Sequence, residues 1–205
     1  MKLDRVAAFS DGIFAVAATL LVLDLKIDSL KDPHSAVELK DRLVEQLPKF
    51  YSWLISFFIV CKFWVNHHHI LALASRATFA MVWLNSIFLM FQTLIPFLTD
   101  LMGEFHQNSL AVCLFGVVLA FNTLLFIALH AYILARVMKP EFIGTQPPHV
   151  IRNSFFGVAF YLMGAAMAWY NVRLAFLIYG IMPMFFIVPG PRASSATGSH
   201  THAQE

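Results

Sequence analysis

Residues 5–23 read RVAAFSDGIFAVAATLLVL, and they give the clearest indication of the architecture. From Val6 to about Ile27 the chain is predominantly apolar, and a bilayer core of roughly 30 Å is crossed by about 20 such residues in a helix. The run is therefore predicted to span a membrane. Its first charges, Arg5 and Asp11, stand near its beginning.

The whole chain shares this apolar character. Of its 205 residues, 59% are hydrophobic and 13% are charged, and the mean hydropathy is +0.70. A soluble domain of this length cannot bury so much apolar surface. The composition also excludes a disordered chain and a disulfide-built secreted module, and the net charge of +2 gives no basic field for nucleic acid. The sequence predicts an all-α integral membrane protein.

Six apolar runs are predicted as transmembrane helices, and they make up one domain. They cover about 6–27, 48–73, 79–101, 110–137, 153–169 and 174–188. Residues 1–191 are treated as the six-helix transmembrane domain, and residues 192–205, rich in small polar side chains, are expected to be a disordered tail. Six spans place both termini on the same side.

The orientation follows from the Lys and Arg residues near the short loops. With a cytoplasmic N-terminus, the inside cations are Lys2, Arg5, Lys62, Arg76, Arg136, Lys139, Arg152 and Arg192. The outside cations are Lys26, Lys31, Lys40, Arg42, Lys49 and Arg173. Most of the outside cations lie around the first loop, where carboxylates balance them. The remaining short loops favour cytoplasmic termini.

The first helix carries both a polar pair and an apolar stripe. At about 100° per residue, Val16, Thr19, Leu20 and Leu23 share one face. If that face points to a central axis, Ser10 and Asp11 point back into their own bundle, where we expect Asp11 to be buried and paired. Ordinary helix packing also produces such a stripe and remains an alternative.

Three consecutive histidines, His67 to His69, invite a metal site because neutral imidazole binds zinc, copper and iron. Adjacent helical residues diverge by about 100°, however, and no second compact cluster of ligands follows. We expect instead that His67, on the same face as Trp64, donates to Asp11, and that Asn85 bridges helices. Because the known catalytic and cofactor-binding motifs are missing, we predict no enzyme, no cofactor and no metal.

These residues together resemble a known family, the endosomal and lysosomal potassium channels of animals and their shorter bacterial relatives. The family's Arg-x-x-x-Phe-Ser-Asp run is similar to the run from Arg5 through Phe9 and Ser10 to Asp11. A second signature, Trp-x-x-His-x-Arg-x-Phe, is matched by Trp64 and His67, but His69 and Leu71 replace its last two residues. The third helix resembles the family in Asn85, followed eleven residues later by Pro96.

The resemblance implies a function and a set of site residues. Relatives with one six-helix repeat are homotetramers whose first helices line a pore, and they pass potassium through a hydrophobic constriction. By position, the constriction is Val16, where the family usually has a larger isoleucine or leucine, followed outward by Thr19, Leu20 and Leu23. The implied structural network comprises Arg5, Phe9, Ser10, Asp11, Trp64, His67 and Asn85.

A potassium-permeable leak channel is therefore the leading interpretation, with potassium ions, membrane lipids and further copies of the chain as partners, and with proton permeation left open. A chain with one repeat also points to a bacterial plasma membrane. Two alternatives stay open: a secondary transporter, which predicts inverted repeats and interrupted midplane helices, and a non-conducting membrane scaffold.

Overall fold

The computed structural model describes residues 2–27, 29–147 and 149–185, and its regular structure is helical. Of the predicted domain, residues 186–191 and the tail 192–205 lie outside the described residues. The helices are α1 (Leu3–Leu20), α2 (Ala36–Glu45), α3 (Leu47–Ala72), α4 (Phe79–Thr93), α5 (Ile95–Glu104), α6 (Ser109–Tyr132), α7 (Val150–Met167) and α8 (Val172–Phe185). A 3₁₀ turn, Leu21–Asp24, extends α1, and a π-helical turn, Ile133–Val137, extends α6.

Five of the predicted spans are confirmed by the length and apolar character of their helices. They are Leu3–Asp24, Leu47–Ala72, Phe79–Glu104, Ser109–Val137 and Val150–Met167. The sixth predicted span begins at α8, whose 14 described residues reach about 21 Å at 1.5 Å per residue. The chain therefore has the expected all-α membrane architecture, and residues 186–188 of the sixth predicted span lie outside the described residues.

Polar side chains set where several helices begin. Asn108 accepts hydrogen bonds from the amides of Leu110 and Ala111 at the start of α6. Asn171 does the same for the first amides of α8, which closes the tight hairpin from α7. Such caps satisfy amides that have no partner within the helix. The two span boundaries therefore follow directly from the sequence.

The third span is divided at Leu94. Helix α4 ends at Thr93 and α5 begins at Ile95, with Pro96 as the second residue of α5. Proline has no amide hydrogen to donate to the carbonyl four residues earlier, so it interrupts a continuous helix. Pro96 therefore accounts for the division of the third span into two helices.

The core lies where α1, α3, α4 and α6 meet. Phe14, Phe63, Phe88 and Phe126 pack there, with neighbouring ring centroids about 6 Å apart. Edge-on and tilted contacts of this kind are favourable for aromatic pairs. Helix α1 packs against α3 and α4, yet only 28% of its span is buried, against 56% for the α6 span. One side of α1 is thus anchored and the other is free of its own chain.

Helix α8 is held by a tyrosine seated between two glycines. Tyr179 is fully buried, and its hydroxyl donates to the carbonyl of Val112 on α6 at 3.0 Å. A Cβ atom added at Gly116 on α6 or at Gly164 on α7 would overlap the Tyr179 ring or its hydroxyl. Only glycine at both positions lets the ring reach this depth.

One assignment in the orientation count is wrong. The count includes Lys62 among the inside cations, but this residue lies within α3 with only 7% of its surface exposed. Its ammonium is 5.7 Å from the ring centroid of Phe63 and 5.8 Å from that of Tyr161. The apolar run 48–73 does not indicate which of its residues lie in the middle of the helix. The sequence therefore does not distinguish Lys62 from a lysine at the end of a span.

Candidate functional site on the first helix

Helix α1 has two chemically different faces. Val6, Ser10, Phe14 and Ala17 are buried against α3 and α4 at helical spacing. The predicted stripe lies on the other side, and Val16 and Leu23 are each 57% exposed. Leu20 and Thr19 are exposed with them. The four residues named from periodicity therefore share a face that is largely exposed from their own bundle.

Thr19 is the one hydroxyl among the four stripe residues. Its Oγ1 donates to the carbonyl of Val16 at 2.9 Å, three residues earlier. Because the hydroxyl hydrogen is used within the helix, the oxygen lone pairs remain available on the exposed face. Thr19 therefore presents an oxygen acceptor on the exposed face of α1, one turn after Val16.

A chain of buried hydrogen bonds holds the opposite face of α1. Ser10 Oγ donates to the carbonyl of Val6 at 2.8 Å, and Asn85 Nδ2 on α4 donates to Ser10 Oγ at 3.0 Å. His67 Nε2 on α3 lies 2.7 Å from Asn85 Oδ1. The three helices are thereby joined through one polar line in an apolar core.

The direction of this chain follows from the donors available. The Ser10 hydroxyl has given its hydrogen to Val6, so it can only accept from Asn85. The Asn85 amide nitrogen must then face Ser10, which leaves its oxygen to accept from His67 Nε2. His67 therefore carries its proton on Nε2, and its Nδ1 is buried without a hydrogen-bond partner in the described ranges.

Asp11 is paired, but not with the predicted residue. It is half-buried, and Trp64 Nε1 on α3 donates to its Oδ1 at 2.9 Å. The expectation that His67 donates to Asp11 is wrong. The imidazole instead stacks on Phe88, with 5.6 Å between centroids and 12° between planes, which turns its Nε2 toward Asn85. Trp64, nearly one turn earlier on α3, reaches Asp11 in its place.

The structure does not bring Arg5 and Phe9 into this network. Both are exposed, Phe9 to 61%, and neither makes a side-chain hydrogen bond within residues 2–27, 29–147 and 149–185. On a helix, positions 5, 9 and 16 fall on neighbouring parts of one face. These two residues therefore continue the exposed stripe of Val16 toward the N-terminus of α1.

The histidine run does not form a ligand set. His67 is in the core, whereas the His68 ring lies 6.5 Å from Trp64 and is exposed. Among the residues that the structure describes, no three His, Cys, Asp or Glu side chains come together in a way that could hold a metal ion.

Several buried polar residues were missed by the sequence reasoning. They lie in the core away from the stripe, and they are Lys62, Gln92, Asn122, His130 and Tyr161. The only signal in the sequence was a polar residue alone in an apolar run, such as Asn122 within α6. That signal identifies the residue but not the direction in which it points.

Comparisons with known proteins agree with these features. The family described as endosomal/lysosomal potassium channel TMEM175 matches residues 5–96. A potassium channel of Chamaesiphon minutus is 30% identical over 187 residues, which is 89% of this chain and 92% of the relative. The human endosomal/lysosomal proton channel TMEM175 is 40% identical over 93 residues, covering 43% of this chain and 18% of the human protein.

A solved structure is similar over most of the chain. It is the crystal structure of a lysosomal potassium-selective channel TMEM175 homologue from Chamaesiphon minutus, with a TM-score of 0.78 and 29% sequence identity. The similarity covers 89% of this chain and 95% of that one. With the Ser10–Asn85–His67 line, the Asp11–Trp64 pair and a near full-length relative at 30% identity, this chain belongs to the TMEM175 family of endosomal/lysosomal potassium channels.

Proposed function

We propose that the chain is the subunit of a potassium-permeable leak channel whose pore is lined by α1. The observation that carries this proposal is the division of α1 into two faces. Val16, Thr19, Leu20 and Leu23 are exposed from their own bundle, while Ser10 on the opposite face is fixed by hydrogen bonds to two other helices through Asn85.

A single α1 cannot enclose a path for ions, so the pore needs further copies of the chain. Homo-oligomers close by rotational symmetry, which places the same residue of each copy in one ring. The resemblance favours four copies, and two similar proteins are named a potassium channel and a potassium-selective channel. The proposed pore is thus a homotetramer with rings of Val16, Thr19, Leu20 and Leu23.

Val16 would form the constriction. An apolar ring closes a pore by excluding water, without a separate plug. Valine is one methylene smaller than the isoleucine or leucine usual at this position, so its ring is expected to be wider and easier to wet. The Thr19 oxygen follows, and its outward lone pairs would partly replace the water that a cation loses at Val16.

The hydrogen-bonded face would set the rotation of α1. One residue position on a helix corresponds to about 100° of rotation, so a turn of this size would remove Val16 from the axis. Ser10, with its bonds to Val6 and Asn85, and Asp11, with its bond from Trp64, resist such a turn from two neighbouring positions. The network is therefore proposed to position the pore residues without touching the ion.

The protein is proposed to lie in the cell membrane with cytoplasmic termini. Arg76 lies in the loop between α3 and α4, and Arg136, Lys139 and Arg152 lie around the connection from α6 to α7. These cations are on the same side as the N-terminus of α1, because Ser10 and Asp11, near the start of α1, contact the halves of the second and third spans that lead to this loop. The positive-inside rule then places this side in the cytoplasm.

The proposal is tested by ion flux in liposomes that contain the purified full chain under a potassium gradient. Wild type is compared with Val16→Asn and Thr19→Ala, and Val117→Asn is the matched control because Val117 is exposed on α6, away from α1. We expect Val16→Asn to raise the flux by removing the apolar ring, Thr19→Ala to reduce potassium preference, and Val117→Asn to match wild type.

Other outcomes distinguish the alternatives. If wild type and Val16→Asn are both silent, the protein is a transporter or a scaffold. Flux that ignores both substitutions on α1 would keep a channel but remove this pore. Since some animal members are named proton channels, the same liposomes loaded with a pH-sensitive dye test proton permeation by this chain.

A further inference from the structure

A backbone bridge joins the α3–α4 loop to the end of α6. Ala74 and Met138 pair in antiparallel fashion. Ser75 donates to the carbonyl of Val137 from both its amide and its hydroxyl, each at 2.8 Å, and the amide of Lys139 donates to the carbonyl of Leu73 at 2.8 Å. Two segments far apart in the sequence are thus fixed side by side where three spans end.

Three cations flank this bridge. Arg76 follows Ser75 directly, Arg136 precedes Val137 on the π-helical turn, and Lys139 follows Met138. We call them the bridge cations. Arg76 and Arg136 are exposed, and none of the three makes an ion pair within the part of the chain that the structure describes. Glu141 is the one carboxylate within two residues of a bridge cation, so the group keeps a net positive charge.

Exposed aromatic side chains place this cluster at the membrane surface. Phe79 is 81% exposed and Trp83 is 56% exposed on the first two turns of α4, with ring centroids 6.0 Å apart. Aromatic residues at the ends of spans mark the headgroup level of a bilayer. Arg76 is three residues before Phe79, and the bridge holds Arg136 and Lys139 beside it. The bridge cations therefore lie at the depth of lipid phosphates.

The bridge occupies two backbone carbonyls at this end that would otherwise oppose an anion. The C-terminal ends of α3 and α6 carry partial negative charge, but the carbonyls of Leu73 and Val137 are occupied by Lys139 and Ser75. Their lone pairs are turned to the bridge. An approaching phosphate thus meets guanidinium and ammonium groups, and arginine offers it two parallel donors.

We propose that the bridge cations bind the phosphate of an anionic phospholipid headgroup at the membrane surface. The patch is built from two segments, so it recognises a lipid only when the α3–α4 loop and the end of α6 are joined. Basic groups at the ends of spans bind anionic headgroups in this way. The proposal does not depend on the pore described above, since none of the bridge cations lies on α1.

The other membrane side supplies a matched control. Lys26, Lys31 and Lys40 are exposed, as Arg76 and Arg136 are, but carboxylates such as Asp32, Glu38 and Asp41 surround them in the sequence. Removing these three charges changes the net charge of the chain as much as removing the bridge cations. A loss of lipid through net charge alone would therefore be equal in the two variants.

The experiment is native mass spectrometry of the purified full chain, titrated with phosphatidylglycerol or phosphatidylcholine. In one variant the bridge cations become glutamine (Arg76→Gln, Arg136→Gln, Lys139→Gln). In the control, the same change is made at Lys26, Lys31 and Lys40. We expect phosphatidylglycerol binding to fall by about tenfold or more in the first variant, to stay near wild type in the control, and phosphatidylcholine binding to be unchanged.

Charge-retaining variants and competition by inorganic phosphate provide two further tests of the proposal. The pair Arg76→Lys and Arg136→Lys retains charge, so it should keep most of the binding, and far-ultraviolet circular dichroism checks that every variant remains helical. Equal loss in both glutamine variants, or no loss in the first, overturns the proposal. If inorganic phosphate at millimolar concentration displaces phosphatidylglycerol fully, the site takes free anions and the lipid assignment is wrong.

Discussion

The side-chain nitrogen of Asn85 donates a hydrogen bond to the hydroxyl of Ser10 at 3.0 Å, and this bond links α4 to α1 inside an apolar core. Both residues are buried, and so is His67, the third member of the line. In such surroundings a polar group without a partner is costly. The orientation of α1 therefore depends on the Asn85 amide, which forms hydrogen bonds with Ser10 on α1 and with His67 on α3.

The first prediction concerns that amide. Asn85→Leu leaves the Ser10 oxygen and His67 Nε2 without their buried partner, and each such loss costs about 1–3 kcal/mol. We expect the melting temperature in detergent to fall most for Asn85→Leu, less for Ser10→Ala, and least for Ser86→Ala. Ser86 is the control because its hydroxyl bonds only to its own helix, at Val82. Equal effects of Asn85→Leu and Ser86→Ala would contradict a bridging role.

The second prediction separates the role of Asp11 as a hydrogen-bond acceptor from the effect of its negative charge. Asp11→Asn keeps an oxygen that accepts from Trp64, so it should assemble nearly as wild type does, whereas Asp11→Ala leaves Trp64 Nε1 without this acceptor. We expect Asp11→Ala to lower the yield of folded oligomer on size-exclusion chromatography more than it alters permeation. An intact Asp11→Ala tetramer with changed ion selectivity would show instead that Asp11 acts on the ion.

The third prediction concerns the packing of the Tyr179 ring against Gly116 and Gly164. Alanine at Gly116 or Gly164 places a methyl group where the Tyr179 ring lies, and overpacking of this kind costs about 1–3 kcal/mol. Gly180→Ala is the matched control, since its Cβ would be 3.7 Å from Ile55, an ordinary contact. We expect thermal unfolding to occur earlier in the first two variants only. Unchanged unfolding of Gly164→Ala would mean that α8 is not held at this point.

The fourth prediction is a pH effect outside the membrane. The amides of Lys31 and Asp32 donate to the Glu38 carboxylate at 2.9 and 3.1 Å, which lowers the pKa of Glu38 below its ordinary value. Because the folded pKa is the lower one, this contact stabilises the loop above the unfolded pKa and is lost as pH falls through the folded pKa. Protection of the two amides from hydrogen exchange should therefore decrease in acid.

The control for this effect is Glu38→Gln, which has no titrating group at that position. Its amide protection factors should be similar at neutral and acid pH, while those of wild type decline. A wild type whose protection does not change with pH would show that the carboxylate does not order the loop.

Much of the fold could be predicted from the sequence because membrane insertion depends on segment length and hydropathy. The stripe of Val16 and Leu23 could be predicted too, since periodicity within one helix fixes which residues share a face. What a single helix does not encode is its rotation against its neighbours. Trp64 and His67 both lie on the face of α3 that is turned toward α1. The stacking of His67 on Phe88 decides which of them forms the hydrogen bond with Asp11.

Depth was the second property that the sequence did not reveal. Lys62 belongs to a 26-residue helix, and hydropathy averaged over such a length hides one lysine whose ammonium lies near two aromatic rings. Tyr179 was missed for a related reason. Its place depends on glycines in two other helices, and the sequence does not indicate that these three positions meet.

The line from His67 through Asn85 to Ser10 also bears on the movement of protons. A Grotthuss relay needs each member to accept a hydrogen on one side and release another on the opposite side. The Asn85 amide receives at its oxygen and gives from its nitrogen, and it can pass a proton only by changing into an imidic acid, which is unfavourable at neutral pH. The line therefore holds α1 in place but does not conduct a proton from His67 to Ser10.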